Sequence, residues 1–154
     1  MALDARGLTL TGATNAQAKV FDDIVGSYLD YKLTTFPELK TLCEEAPNFA
    51  MAHIFKGLML LSMGINNTVQ AAKNCAEHVS KLQNELTERE KKHVRALKAW
   101  AGGDTKLACH EWDEVLFENP LDILALKFQH FALFYPSIST NSSEFPTNFL
   151  DPLR

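Results

Sequence analysis

From about residue 15 to residue 135, apolar side chains recur every three or four positions, the spacing that lines one face of an α-helix. The first such run covers residues 15–32. Phe21, Ile24, Val25 and Tyr28 share a face, Asp22, Asp23 and Asp30 lie off it, and Thr14 or Asn15 stands where an N-cap belongs. A short second helix follows, with Pro37 tolerated in its first turn and Leu39, Leu42, Cys43 and Ala46 on its apolar side. The third, residues 48–63, is apolar nearly all round through Phe49, Met51, Ile54, Phe55, Leu58, Leu60 and Leu61, so it belongs at the centre with neighbours on both sides. Gly64 and Asn66-Asn67 interrupt it, and Val69, Ala72, Cys75, Ala76, Val79 and Leu82 mark a fourth.

Thr87-Glu88-Arg89-Glu90 has the form of a capping box and opens a fifth helix with Val94, Leu97 and Ala101 inward. Gly102-Gly103-Asp104 ends that helix. A sixth carries Ala108, Trp112, Val115 and Leu116 and stops at Asn119-Pro120, and a seventh begins near Asp122 with Ile123, Leu124, Leu126, Phe128, Phe131 and Phe134. No alternating stretch and no Asn-Gly or Asp-Gly turn signals a strand. The chain divides into a flexible segment at residues 1–13, a helical domain at 14–135 and an irregular polar tail at 136–154, rich in Ser, Thr, Asn and Pro.

Seven short helices joined by tight turns suggest stacked hairpins. The clearest unit reads Gly103-Asp104-x3-Ala108-x3-Trp112-x2-Val115-x4-Pro120. A small residue followed by an aromatic four positions on and a closing proline is how a tetratricopeptide (TPR) unit ends. Ala108 permits close approach of two helices, Trp112 fills the groove between hairpins and Pro120 terminates. A partial copy lies upstream, with Pro47 closing a helix, Gly57 as the small residue and Gly64 at the turn, but His53 and Leu60 replace the pattern's tryptophan and tyrosine. The expected fold is all-α: antiparallel helical hairpins stacked as a short TPR-like right-handed solenoid.

The stretch LTEREKKHVRALKAWAGGDTKLACHEWDEVLFENPLDILALKFQHFALFY, with AKVFDDIVGSYLDY and APNFAMAHIFKGLMLL before it, resembles the N-terminal part of the tetratricopeptide repeat protein 38 family over about residues 10–135. The resemblance implies a helical-repeat array with no assigned catalytic residues. The family continues with further hairpins where this chain turns to Pro136. The expectation is a truncated form of a longer repeat protein, with the apolar seventh helix exposed and prone to self-association.

Composition narrows the function classes. Of the 154 residues, 46% are hydrophobic and 22% charged, which is globular and excludes a disordered chain. A net charge of -4 leaves no basic footprint for nucleic acid. The opening residues lack the form of a secretory signal, and no run of about 18 apolar residues offers a membrane span, so the expected location is cytoplasmic. Three cysteines, Cys43, Cys75 and Cys109, sit in helical patterns at wide spacing, which suits reduced core thiols better than a disulfide framework.

Candidate chemistry is sparse. Cys75-x2-His78 and Cys109-His110 resemble fragments of a metal site or a Cys/His enzyme, but zinc requires four converging ligands and no paired Cys-x2-Cys occurs. His110-Glu111-Trp112-Asp113-Glu114 starts like a zinc-protease helix and fails where its second histidine belongs. Arg89, Lys91, Lys92, Arg95 and Lys98 cluster on the fifth helix, suited to an acidic peptide or phosphate, or simply to a solvated face. The leading expectation is a non-catalytic protein–protein interaction scaffold without cofactors. Its concave face would hold a protein or peptide through His53, Lys56, His93 and Lys98, on the first helices of hairpins. The alternatives are the Cys/His enzyme or metal protein and a partial, non-functional copy of a longer protein.

Overall fold

The computed structural model describes residues 2–134; the expected tail at 136–154 lies outside them. Among the described residues the chain forms seven helices: α1 (Asn15–Leu29), α2 (Thr35–Glu45), α3 (Ala50–Ser62), α4 (Asn66–Ser80), α5 (Glu88–Ala101), α6 (Thr105–Glu118) and α7 (Ile123–Phe134). The all-α class and the element count agree with the periodicity. So do the caps. Thr14 accepts the Gln17 amide at 3.1 Å, and the Gln17 side chain accepts the Thr14 amide at 3.0 Å. The Thr87–Glu90 box closes in the same way, at 3.2 and 3.0 Å, so each box satisfies amides that the first turn leaves without helical acceptors.

The N-terminal segment is not the flexible one expected. Ala2–Leu3 (β1) pairs antiparallel with Thr9–Leu10 (β2), Ala2 opposite Leu10, and both of those side chains are buried. Two-residue strands are too short to show alternation. The turn between them is built by the Asp4 carboxylate, which accepts the Arg6 and Leu8 amides at 2.9 Å each, and not by the dipeptides that announce a hairpin. Gly12 then passes so close to the α2–α3 connection that a Cβ on it would lie 1.7 Å from the Asn48 carbonyl oxygen.

Each helix packs on the next in sequence, most extensively α3 on α4 and α5 on α6, and α3 also touches α5 and α7. Short connections make consecutive helices run in opposite directions, so α1, α3, α5 and α7 share one sense. Their facing sides are filled by aromatic rings. Tyr28 of α1 stacks on Phe128 of α7 with centroids 5.4 Å apart, Phe55 of α3 meets Phe128 at 6.1 Å, and Trp100 of α5 meets it at 6.4 Å. The central, nearly all-apolar α3 is buried through Met51, Ile54, Phe55, Leu58 and Leu61, as its composition requires.

The hairpin, α5 and the start of α7 are fastened by buried charge. Arg89, only 7% exposed, donates to Asp122 Oδ2 at 2.9 Å and to the Thr9 carbonyl at 2.6 Å. His93, fully buried, donates its Nε2 proton to the same Oδ2 at 2.8 Å, while Asp122 Oδ1 caps α7 by accepting the Ala125 amide at 3.1 Å. Alongside, the buried Glu90 carboxylate accepts from the Thr11 amide at 2.8 Å and the Thr11 hydroxyl at 2.6 Å, besides its capping bond. Burial alone would raise the Asp122 carboxyl; the adjacent His93 and Arg89 overcome it and hold the group well below the usual carboxylate range.

A depressed folded-state pKa stabilises the fold above the unfolded value and is lost as pH falls below it. Wild-type stability is therefore expected to decline on acidification below about pH 4, with a shallower slope in Asp122→Asn. That substitution leaves Arg89 buried without its counter-charge and should cost about 3–5 kcal/mol at neutral pH by urea denaturation.

Candidate interaction surface

The residues with candidate chemistry separate into different surroundings. On α3, His53 and Lys56 are half-buried. The His53 ring lies 4.5 Å from that of His78 on α4, and each Nε2 faces a backbone carbonyl, Ala46 at 3.2 Å and Pro47 at 2.6 Å. Burial first, and the neighbouring His78 second, lower the His53 pKa. His93, expected at a partner contact, is instead a core residue held by Asp122. Of the four expected contacts only Lys98 is freely exposed. The expected concave face does not present itself as an open groove, because Tyr28, Phe55, Trp100 and Phe128 fill the space between the like-directed helices.

The thiols have the environment of packing residues. Burial pushes Cys43 up to about 12 and raises Cys75 and Cys109 above the ordinary thiol value. Cys75 lies on the inner side of α4, with its Cβ 3.2 Å from where a Cβ on Gly57 would stand. His110 is exposed and pairs with Glu114 at 3.2 Å. Among the described residues, no three His, Cys, Asp or Glu side chains converge as metal ligands, so Cys75, His78, Cys109 and His110 are not brought together.

The residues read as repeat signatures sit at helix contacts and turns, with Trp112, expected between hairpins, packed instead on the α5 side of its own α5–α6 pair. A Cβ on Gly57 would come within 2.9 Å of Leu97 Cδ2, so glycine is what lets α3 approach α5 this closely. Ala108 is fully buried, and the Trp112 ring meets Trp100 edge-on at 5.9 Å. Gly103 adopts φ 88° in the α5–α6 turn, a conformation that excludes most side chains, and Pro120 follows the end of α6.

The basic cluster of α5 divides three ways. Arg89 turns inward to Asp122. Lys92 turns to α6, bonding Glu118 at 2.9 Å beside Glu114 at 3.8 Å. Lys91, Arg95 and Lys98, at positions i, i+4 and i+7, line a cleft against Ser80, Gln83 and Leu86 of the α4–α5 junction. The inward turn of Arg89 has one sequence signal: a cation in the first turn of a helix opposes the helix dipole, so it needs a partner elsewhere.

Exposed large apolar side chains occur at several places: Met63 and Ile65 between α3 and α4, Phe117 and Leu121 around the α6–α7 turn, Tyr31 (84% exposed) and Leu33 (96%) after α1, and Leu133 and Phe134 on α7. Tyr31 holds φ at 58°, a left-handed conformation that is rare for a bulky side chain. Leu126 is open one side of α7 further back, so the exposed patch expected on the seventh helix is present. No family model matches the chain, and no solved structure matches it.

Two outcomes follow from these surroundings. Gly57→Ala should overpack the α3–α5 contact and lower stability by about 1–3 kcal/mol in thermal or urea melts. Alkylation by iodoacetamide at pH 8 should reach Cys109 before Cys43 and Cys75, and all three equally in denaturant; fast labelling of Cys43 in the folded protein would contradict the burial described.

Proposed function

We propose that this protein is a non-catalytic protein-interaction module of helical-repeat type, akin to the tetratricopeptide repeat protein 38 family, that engages its partner through the outer face of α7 and the α1–α2 turn. The partner element that fits is the apolar side of an amphipathic helix. The observation carrying this reading is the open state of Leu126, Leu133 and Phe134 on a helix whose opposite side is fully packed. Elsewhere in the molecule the same situation is resolved by a helix: α3 lies against α4 and α5 against α6. The apolar side chains of α7 that remain open have the chemistry that a docking helix would bury. Tyr31 and Leu33 of the α1–α2 turn are exposed as well.

The reading supersedes the concave-groove form of the scaffold expectation, since the inner faces are occupied by aromatic packing. It draws nothing from the cysteines and histidines.

The test places a photo-cross-linking phenylalanine analogue at position 133 in the full chain. Cross-links to a defined second protein, abolished by Leu126→Glu with the helical circular dichroism signal retained, are the expected result. Cross-links only between copies of the chain, or none, would remove the proposed partner.

A further inference from the structure

We infer that the cleft between the α4–α5 junction and α5 is a second binding surface, for an acidic peptide segment carrying an apolar residue. The cleft has a volume of about 110 Å³. Its floor is apolar and buried, formed by Leu86 and Val94, and its rim carries Lys91, Arg95 and Lys98 on one side with Gln83 on the other. The helical repeat puts the three cations on a single stripe, one turn after another, at a spacing that an extended or helical acidic segment can follow.

Arg89 and Lys92 are committed elsewhere, and of the three rim cations only Lys98 lacks an ion-pair partner among the described residues. Arg89 is consumed in the core by Asp122, and Lys92 by Glu118 of α6. Within the stripe, Lys91 bonds Glu88 at 3.0 Å, but the Glu88 side chain is 72% exposed, and such a pair is nearly neutral in energy and readily exchanged. Arg95 bonds Glu111 through Nε alone at 3.1 Å, which leaves its two terminal nitrogens for an incoming carboxylate. Lys98 has no ion-pair partner among the described residues. In a chain of net charge -4 this is a local positive strip over an apolar floor. Carboxylates are drawn to the rim and a single apolar side chain to the floor. A bare phosphate gains only the rim, and an oligonucleotide meets an overall negative molecule.

The inference is independent of the α7 surface and is tested separately from it. A short fluorescein-labelled peptide rich in Glu with one central Leu is titrated against the full chain by fluorescence anisotropy. Saturable binding below about 1 mM is expected, weakening as salt rises past about 0.1 M because the rim is solvent-exposed. The double variant Lys91→Glu, Lys98→Glu should lose binding about tenfold or more. Lys92→Gln, whose side chain pairs with α6 and does not line the cleft, and Leu126→Glu, on α7, should bind as wild type; circular dichroism confirms the fold of each. The inference is overturned if the Gln-for-Glu peptide binds equally, if Lys92→Gln loses as much as the double variant, or if inorganic phosphate or an RNA oligonucleotide competes at the peptide's own concentration.

Discussion

The Asp122 carboxylate is the point through which distant parts of the chain are held in register. One oxygen receives the Arg89 guanidinium and the His93 ring proton; the other caps α7. Arg89 in turn reaches the Thr9 carbonyl of the hairpin, and the next residue, Glu90, anchors Thr11. Apolar burial is non-directional and would allow helices of this composition to slide. Buried charges and amides do not: each must find its partner at bonding distance or bear a large desolvation cost. With both residues in its first turn, α5 sets where the hairpin lies and where α7 begins.

That fastening has a counterpart at the other end. The hairpin segment meets the starts of α3, α5 and α7, while Tyr31 and Leu33 after α1 and Leu133 and Phe134 on α7 are exposed. Between the two ends, four aromatic rings close the space that a helical array would otherwise offer as a groove. The two proposed surfaces therefore lie outside that filled space. The apolar side chains of α7 and the cationic cleft differ in chemistry, one apolar and the other basic over an apolar floor.

The helices were legible because their signals are local. Periodicity, the Thr87–Glu90 box, and the Gly102–Gly103 and Asn119–Pro120 stops each lie within a few residues of what they determine. Gly57 and Ala108 were legible as small residues at helix contacts for the same reason. Long-range pairing was not. Nothing near Arg89 names Asp122, 33 residues on, or Thr9, 80 residues back, so Arg89 counted as a surface cation and the hairpin as a loose end. His93 was misplaced by the same blindness. On an amphipathic helix its position is compatible with an edge, and only the carboxylate of another helix draws it inside. The filled groove escaped because periodicity tells which face is apolar and not how far large rings reach across to one another.

The hairpin's bonds also carry information about order in time. Thr9 and Thr11 make their decisive contacts with residues 80 and 79 positions further along the chain. At a synthesis rate of about 5–20 residues per second, roughly 4–16 s pass before those partners exist. Over that interval the hairpin has only α1 and the α2–α3 connection to pack on, while α1 to α4, whose contacts are with near neighbours, are already able to form. Closure of the hairpin then waits on α5 and on the first turn of α7. The earliest described residues to be made thus gain some of their contacts late, and a nascent chain halted before Arg89 would lack the bonds that α5 makes to Thr9 and Thr11.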